Sequence, residues 1–106
     1  METIGLFGGT FDPIHCGHLR AAEEVRRRAR LGRVLFVPSY LPPHKEPGAA
    51  APAADRLRMV ELACAGREGL EASPIEVEAR ETSYSILTLR KVRAMAPEAR
   101  LFFIVG

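Results

Sequence analysis

Short apolar runs alternate with longer segments of helical periodicity along this chain, and this alternation constrains its fold more than any other feature. The apolar runs predict strands at residues 3–7, 33–37, 70–77 and 101–105. Strands that alternate with helices favour a mostly parallel sheet, because each crossover between parallel strands is right-handed and usually carries a helix. The sequence therefore predicts an α/β fold, an open parallel sheet with helices on both faces.

Three segments between these runs place apolar residues at helical spacing. They predict helices over residues 16–31 and 55–65, and a third from Ser83 or Ser85 to about residue 96. Gly32 is the predicted stop of the first helix, since glycine often ends helices. Asp55 is the predicted N-cap of the second, because its carboxylate can accept from the first free amides.

Prolines mark two irregular segments. Pro74 lies inside the third apolar run, and we expect an edge strand there because proline cannot donate to a sheet ladder. Five prolines between Pro38 and Pro52 predict a long loop over residues 39–54. Long loops in compact domains are commonly functional.

The last run, residues 101–105, is the most apolar in the chain and is expected to form a fully buried strand. Such a strand normally leads into a further loop, whereas the sequence stops at Gly106. We therefore expect residues 1–106 to be the N-terminal part of one domain, with a C-terminal part absent from this chain.

Composition and charge limit the classes of partner. Hydrophobic residues make up 47% of the 106 residues, enough for a core, and the net charge of +2 demands no nucleic-acid partner. The arginines at residues 26–33 are expected to form a solvated helix face. No signal peptide and no apolar run of the roughly 20 residues that span a bilayer is present, so we expect no membrane partner. Cys16 and Cys64 form no CxxC pair, which favours free thiols in the cytoplasm.

The segment FGGTFDPIHCGHL joins the first predicted strand to the first predicted helix. Ligands bind at the carboxyl ends of strands in open parallel sheets, so a site is expected at this junction. The glycine pair lets backbone amides approach an anion, Thr10 adds a hydroxyl, and the helix N-terminus attracts negative charge. His15 and His18 are three residues apart and can face one side. The pattern predicts a phosphate site suited to phosphoryl or nucleotidyl transfer.

These histidines have two other interpretations. His15 by itself would most simply cap the helix or lie satisfied in the core. A zinc site would combine His15, Cys16, His18 and His44, which are ligand types that zinc prefers. We favour the anion site and predict no metal site, because Cys16 would point away from the side that His15 and His18 share.

Two later motifs add candidate residues. In PPHK, residues 42–45, two prolines stiffen the loop while His44 and Lys45 offer hydrogen-bond donors to a phosphate. TSYSILTL, residues 82–89, is either an ordinary helix-capping segment or a surface that offers amides and an aromatic ring to a planar ligand.

Together these motifs resemble a known family. GGTFDPIHCGHL is similar to the signature of the HxGH nucleotidyltransferase superfamily, and PPHK, SYSILTL and LFFIVG, in that order, resemble its bacterial nicotinate-nucleotide adenylyltransferases. The resemblance implies a Rossmann-like fold and an enzyme of NAD biosynthesis. It implies transfer of AMP from ATP to nicotinate mononucleotide, with Mg²⁺ present, giving deamido-NAD and pyrophosphate. Two alternatives stay open: another HxGH transferase, such as pantetheine-phosphate adenylyltransferase, and a nucleotide-binding fragment without turnover. Assembly into a homo-oligomer also stays open.

The resemblance also implies residue roles. His15 and His18 would be the catalytic pair on the ATP phosphates, with His18 stabilising the transition state. The ATP-binding residues would be Gly8, Gly9, Thr10, Phe11, His18, His44, Lys45, Ile104 and Gly106. The nicotinate mononucleotide-binding residues would be Thr10, His44, Lys45, Tyr84 and Ser85. The family commonly has an acidic or amide residue where this chain has Leu87, and it continues past Gly106 with further ligand-binding segments.

Overall fold

The computed structural model describes residues 2–40, 51–80 and 85–104, the last range with side chains from Thr88 onward. Its strands are β1 (Thr3–Gly9), β2 (Arg33–Pro38), β3 (Leu70–Ala72) and β4 (Arg100–Ile104). They form a parallel sheet in the order β3-β2-β1-β4. The helices are α1 (Cys16–Ala29), α2 (Ala53–Cys64), α3 (Ile75–Ala79) and α4 (Ser85–Met95). The predicted α/β architecture is confirmed.

Helices cover both faces of the sheet, as the sequence predicts. On one face, Leu19 of α1 and Val60 of α2 pack with Phe7 and Phe36 in a continuous apolar cluster. On the other face, Val92 of α4 packs in a second cluster with further strand residues, Ile4, Leu6, Leu35 and Val37. Side chains alternate between the two faces along each strand, so a sheet with two covered faces needs strands that are apolar throughout.

The first helix ends earlier than Gly32. Arg30 is its C-cap in the left-handed conformation, with φ at 55°, and its N–H donates to the carbonyls of Arg26 and Arg27. Gly32 instead donates its N–H to the carbonyl of Thr3 at 2.9 Å, which ties the end of the connection to the start of β1. The predicted stop was therefore wrong by two residues, because a non-glycine residue takes the left-handed position here.

The arginines around the end of α1 face solvent for the most part. Arg27 and Arg28 are exposed and pair with Glu24 at 2.6 Å. Arg33 does not belong to the helix; it begins β2 and pairs with Glu2 at 3.1 Å. Exposed pairs of this kind stabilise a fold only slightly, since water screens both charges.

The second helix begins at Ala53 rather than at Asp55. Pro52 occupies the N-cap position, where it makes no side-chain hydrogen bond, and its carbonyl accepts from the N–H of Arg56 at 3.0 Å. Asp55 lies in the first turn of α2, where its negative charge interacts favourably with the positive end of the helix dipole but does not cap the helix. The predicted N-cap was wrong because Pro52, with φ at −56° and ψ at 147°, already has the non-helical backbone of an N-cap residue.

The third apolar run divides at Pro74. Only Leu70–Ala72 forms a strand, which lies at the edge of the sheet as predicted, and Ile75–Ala79 forms the short helix α3 instead of continuing the strand. Pro74 is the N-cap residue of α3. Proline has no N–H for the sheet ladder but is well suited to the start of a helix, which explains both changes.

The last strand is not fully buried in the part of the chain that the structure describes. β4 pairs with β1 on one side and ends the strand order on the other, and Phe103 on it is 48% exposed. The expectation of a fully buried strand was therefore wrong for Arg100–Ile104. An apolar sequence shows that a strand can be buried, whereas the strands and helices packed around it decide whether the strand is buried.

Gly5 in the middle of β1 provides a test of core packing. A methyl group on Gly5 would lie 2.8 Å from Leu31 Cδ1 and 3.2 Å from Ile104 Cδ1, so Gly5→Ala should lower the free energy of unfolding by about 1–3 kcal/mol. Gly8→Ala in the same strand is the control, because nothing lies within 4 Å of its added methyl group. Urea denaturation of the two variants measures the difference, and equal stabilities would contradict this packing.

Candidate functional site

The connection from β1 to α1 builds a pocket at the carboxyl end of the central strand. The pocket has a volume of about 520 Å³, within the range of small-molecule sites. It is lined by Phe7, Gly8, Gly9, Thr10, Phe11, His15, Gly17, His18 and Ala21. The six residues of this segment that the sequence predicts for phosphate binding and catalysis, Gly8, Gly9, Thr10, Phe11, His15 and His18, therefore lie together around one cavity.

Phe11 shapes the pocket from within the core. Its backbone is left-handed, with φ at 51°, an uncommon conformation for a bulky residue, and its side chain is only 3% exposed. The ring packs edge-on against Phe7, Phe36 and His18, with a centroid separation of 5.1 Å to His18. The Phe11 side chain is thus a support for the His18 ring.

His15 and His18 hold each other through the first turn of α1. His15 is the N-cap, and its Nδ1 accepts from the N–H of Gly17 at 3.1 Å. In return, His18 Nδ1 accepts from the N–H of His15 at 3.1 Å. The two bonds form a reciprocal capping box in which imidazoles replace the usual serine and glutamate. His15 therefore caps the helix, and its ring still lies on the same side of α1 as the ring of His18.

The two imidazole rings stack on each other. Their centroids are 3.8 Å apart, with an interplanar angle of 29°. Gly17 makes this possible, because a methyl group there would lie 2.9 Å from His15 Cε1. The glycine of the HxGH pattern thus makes room for the ring of the first histidine.

The capping bonds also assign the position of the proton on each ring. A backbone N–H can only donate, so the Nδ1 atom that it faces must be unprotonated. In its neutral form each ring therefore carries its hydrogen on Nε2, and we infer this tautomer from the hydrogen-bond network. Both imidazoles consequently present a neutral Nε2–H donor to a ligand, which suits the oxygens of a phosphate chain.

The surroundings favour a neutral His18. Burial, and secondarily the nearby charge of His15, lower the pKa of His18 from its ordinary value of 6.5. Protonation at Nδ1 would also cost the hydrogen bond from the His15 N–H. A neutral His18 keeps the two stacked rings from carrying adjacent positive charges near neutral pH.

The remaining predicted residues have different outcomes. Ile104 lies at the end of β4 opposite Phe7 and packs partly buried against the core, outside the lining of this pocket. Ser85 begins α4, and its side chain is not among those described. His44, Lys45, Tyr84 and Gly106 lie outside the described residues.

The part of the chain that the structure describes brings together no three histidine, cysteine or acidic side chains that could hold a metal ion. Cys16 is exposed at the first position of α1, and His44 of the zinc alternative lies outside the described ranges. Cys64 is a buried free thiol, and burial raises its pKa to about 11, which makes it unreactive.

Arg56 is the polar residue at this end of the sheet that the sequence prediction missed. It is 1% exposed, and its guanidinium donates to four backbone carbonyls in the loops beside the pocket. Burial lowers the pKa of Arg56, whereas the carboxylate of Asp12 opposes this shift. A signal was present, because Arg56 precedes the buried residues Val60 and Cys64 at intervals of four on the apolar stripe of α2.

None of the helices in the described ranges has the length and apolar character that crossing a bilayer requires.

Comparison with known sequences links the chain to nucleotidyltransferases. A family model described as cytidylyltransferase-like matches residues 6–106. "Probable nicotinate-nucleotide adenylyltransferase" of Desulfatibacillum aliphaticivorans is 52% identical over 103 residues, which cover 97% of this chain and 47% of that protein. The protein of the same name from Solibacter usitatus is 53% identical, over 97% of this chain and 55% of its own length. The chain thus spans about half the length of these curated relatives.

Solved structures share the fold at low sequence identity. Plasmodium falciparum nicotinic acid mononucleotide adenylyltransferase complexed with NaAD superposes with a TM-score of 0.80 at 16% identity, covering all of this chain and 52% of that one. The same enzyme complexed with APC gives a TM-score of 0.77. These similarities confirm the predicted Rossmann-like fold, and at such identities they show the fold alone.

The capping box predicts how stability depends on pH. Because the pKa of His18 is lowered in the folded chain, the unfolded chain binds the proton more readily, and the free energy of unfolding falls as pH drops through 6.5 and below. His18→Gln keeps an acceptor for the His15 N–H but does not titrate, so its stability should fall less between pH 7 and pH 5. Urea denaturation at both pH values measures the free energy of unfolding of each protein. Equal losses of stability in wild type and His18→Gln would contradict the lowered pKa of His18.

Proposed function

This chain belongs to the cytidylyltransferase-like family, and on that premise we propose that it is the N-terminal, nucleotide-binding part of a nicotinate-nucleotide adenylyltransferase. The stacked pair of His15 and His18 beside the glycine loop carries the proposal, because it offers two Nε2–H donors at the start of a helix. The names of relatives at 52% and 53% identity support the choice of substrate. The reaction is proposed for the whole protein, since the chain spans about half of theirs.

The proposed reaction transfers AMP. A phosphate oxygen of nicotinate mononucleotide attacks the α-phosphorus of ATP, a new P–O bond forms, and the bond to the β-phosphate oxygen breaks to release pyrophosphate. No covalent intermediate with the protein is needed. Catalysis then consists of positioning the two substrates in line and stabilising the charge that moves onto the leaving pyrophosphate.

The described residues can supply that stabilisation. The positive dipole end of α1 faces the pocket, and the loop from Gly8 to Phe11 lines it from the strand side. His15 and His18 donate from Nε2, with His18 proposed to stabilise the transition state because Phe7 and Phe11 hold its ring. Fixed donors of this kind cost little reorganisation during the reaction.

Other roles extend the proposal to residues outside this pocket. We propose His44 and Lys45 as further phosphate and nicotinate mononucleotide contacts, Tyr84 and Ser85 as contacts to nicotinate mononucleotide, and Ile104 with Gly106 as contacts to the adenosine. These assignments rest on the resemblance of PPHK, SYSILTL and LFFIVG to the family. Thr10 is proposed to contact both substrates, and the two unpaired cysteines favour the cytoplasm as the compartment.

Mg²⁺ is proposed to enter with ATP. The groups around the pocket are N–H donors and imidazoles rather than carboxylates, and magnesium prefers oxygen ligands. The donor set therefore fits an ion carried on the phosphates of the substrate. When bound, the ion would neutralise phosphate charge, while the protein orients the phosphate chain.

The proposal is tested by an assay of pyrophosphate release with ATP and either nicotinate or nicotinamide mononucleotide. This chain and an extended chain are assayed side by side. We expect the nicotinate substrate to give a product that is identified by its mass as deamido-NAD. Binding of ATP without product in both chains would support a nucleotide-binding role instead. Product only when phosphopantetheine is supplied in place of the mononucleotides would identify a different transferase.

In the full-length protein, His18→Ala should lower turnover at least about 100-fold, the scale expected for loss of a donor that stabilises transition-state charge. Cys16→Ala is the control, since this exposed neighbour takes no part in the proposed chemistry. His18→Gln separates catalysis from helix capping, because it retains an acceptor for the His15 N–H. Wild-type turnover in His18→Gln would show that the loss in His18→Ala comes from the cap alone.

A further inference from the structure

Arg56 is a buried charged group that the proposed chemistry does not use. It projects from the first turn of α2, and its side chain is among the largest that are fully buried. A cation in such a place needs compensation, because leaving water costs an ionised group several kcal/mol. The question is what this arginine does that an apolar residue on the same helix stripe would not.

The guanidinium is surrounded by backbone carbonyls. Nε donates to the carbonyl of Ala51 at 2.8 Å, and Nη2 donates to that of Tyr40 at 2.9 Å. Nη1 donates to two carbonyls, those of Thr10 at 2.9 Å and Ser39 at 2.7 Å. All three nitrogens are therefore engaged, and the planar fork of arginine is what allows one side chain to reach four acceptors.

These four carbonyls belong to three separate stretches of chain. Thr10 follows the end of β1, Ser39 and Tyr40 follow the end of β2, and Ala51 precedes α2. Arg56 thus binds the loop beside the pocket and both residues that flank segment 41–50, which contains PPHK.

Two further hydrogen bonds join the same stretches. The N–H of Ser39 donates to the carbonyl of Gly9 at 2.9 Å, and the N–H of Ala51 donates to a carboxylate oxygen of Asp12 at 3.1 Å. Gly9 and Thr10 line the pocket that His15 and His18 share. The loop after β1 is therefore held against the loop after β2 through one network centred on Arg56.

We propose that Arg56 is a positioning residue that holds Thr10, Tyr40 and Ala51 in one arrangement, so that the pocket wall at Thr10 is fixed for the phosphate chain of a nucleotide. This inference rests on the proposed function for the identity of the nucleotide, but its contacts do not depend on it. The histidine pair is held independently by α1, so loss of Arg56 should alter the loops and leave the capping box in place.

A set of three variants in the full chain tests the proposal. Arg56→Lys keeps the charge but lacks the fork, and Arg56→Met removes both. Val60→Ala is the matched control, since Val60 is fully buried one turn further along the same helix and its side chain makes no hydrogen bonds. It should lower the melting temperature as a cavity does without touching the loop carbonyls.

The first measurement needs no ligand. Hydrogen exchange followed by NMR should show faster exchange at the amides of Ser39 and Ala51 in Arg56→Lys, by at least about tenfold, with the amides of α1 unchanged. Val60→Ala should not show this pattern. Unchanged protection of Ser39 and Ala51 in folded Arg56→Lys would overturn the proposal, and Arg56→Lys decides the question even if Arg56→Met does not fold.

The second measurement uses tripolyphosphate as the probe, titrated by calorimetry below the melting temperature of every variant. Arg56→Lys should weaken binding at least about tenfold, whereas Val60→Ala should stay within about twofold of wild type. Equal weakening in both variants, or no binding by the wild type, would overturn the link between Arg56 and the pocket. Failure to make deamido-NAD would count against the proposed function alone, because the exchange pattern still decides what Arg56 holds.

Discussion

The parallel pairing of β1 with β2 is the constraint on which the rest of the structure depends. Its register sets Gly9 opposite Pro38, so both strands end at the same edge and their loops leave the sheet side by side. The pocket, the start of α1 and the carbonyls around Arg56 all lie at that edge. A parallel sheet turns separate stretches of sequence into one surface because its strands share a direction.

Two hydrogen-bond networks organise this edge, and each uses a side chain to satisfy the backbone. In the first, His15 and His18 accept from the amides at the start of α1, which fixes both rings and leaves their Nε2 atoms for a ligand. In the second, Arg56 donates to carbonyls that follow the strands. Donors and acceptors that would otherwise be unpaired thus become the framework of the site.

The sequence predicted the elements well where local chemistry decides them. Alternating apolar runs and amphipathic stretches predicted the parallel sheet and its covered faces, and the glycine pair with two histidines predicted the position of the pocket. Three of the misses occurred at the boundaries of helices and strands. Pro74 began a helix instead of interrupting a strand, Pro52 displaced Asp55 as N-cap, and Arg30 took the left-handed position expected near Gly32.

By itself, the sequence determined that His15 and His18 lie on one side of a helix start, since their spacing follows from 3.6 residues per turn. Only the tertiary structure decided that their Nδ1 atoms are used for capping, that Phe11 supports His18 from the core, and that Arg56 is buried. The physical reason is distance along the chain. Arg56 lies 46 residues from Thr10 and 17 from Ser39, so their contact depends on how three loops pack at one sheet edge, which no local pattern encodes.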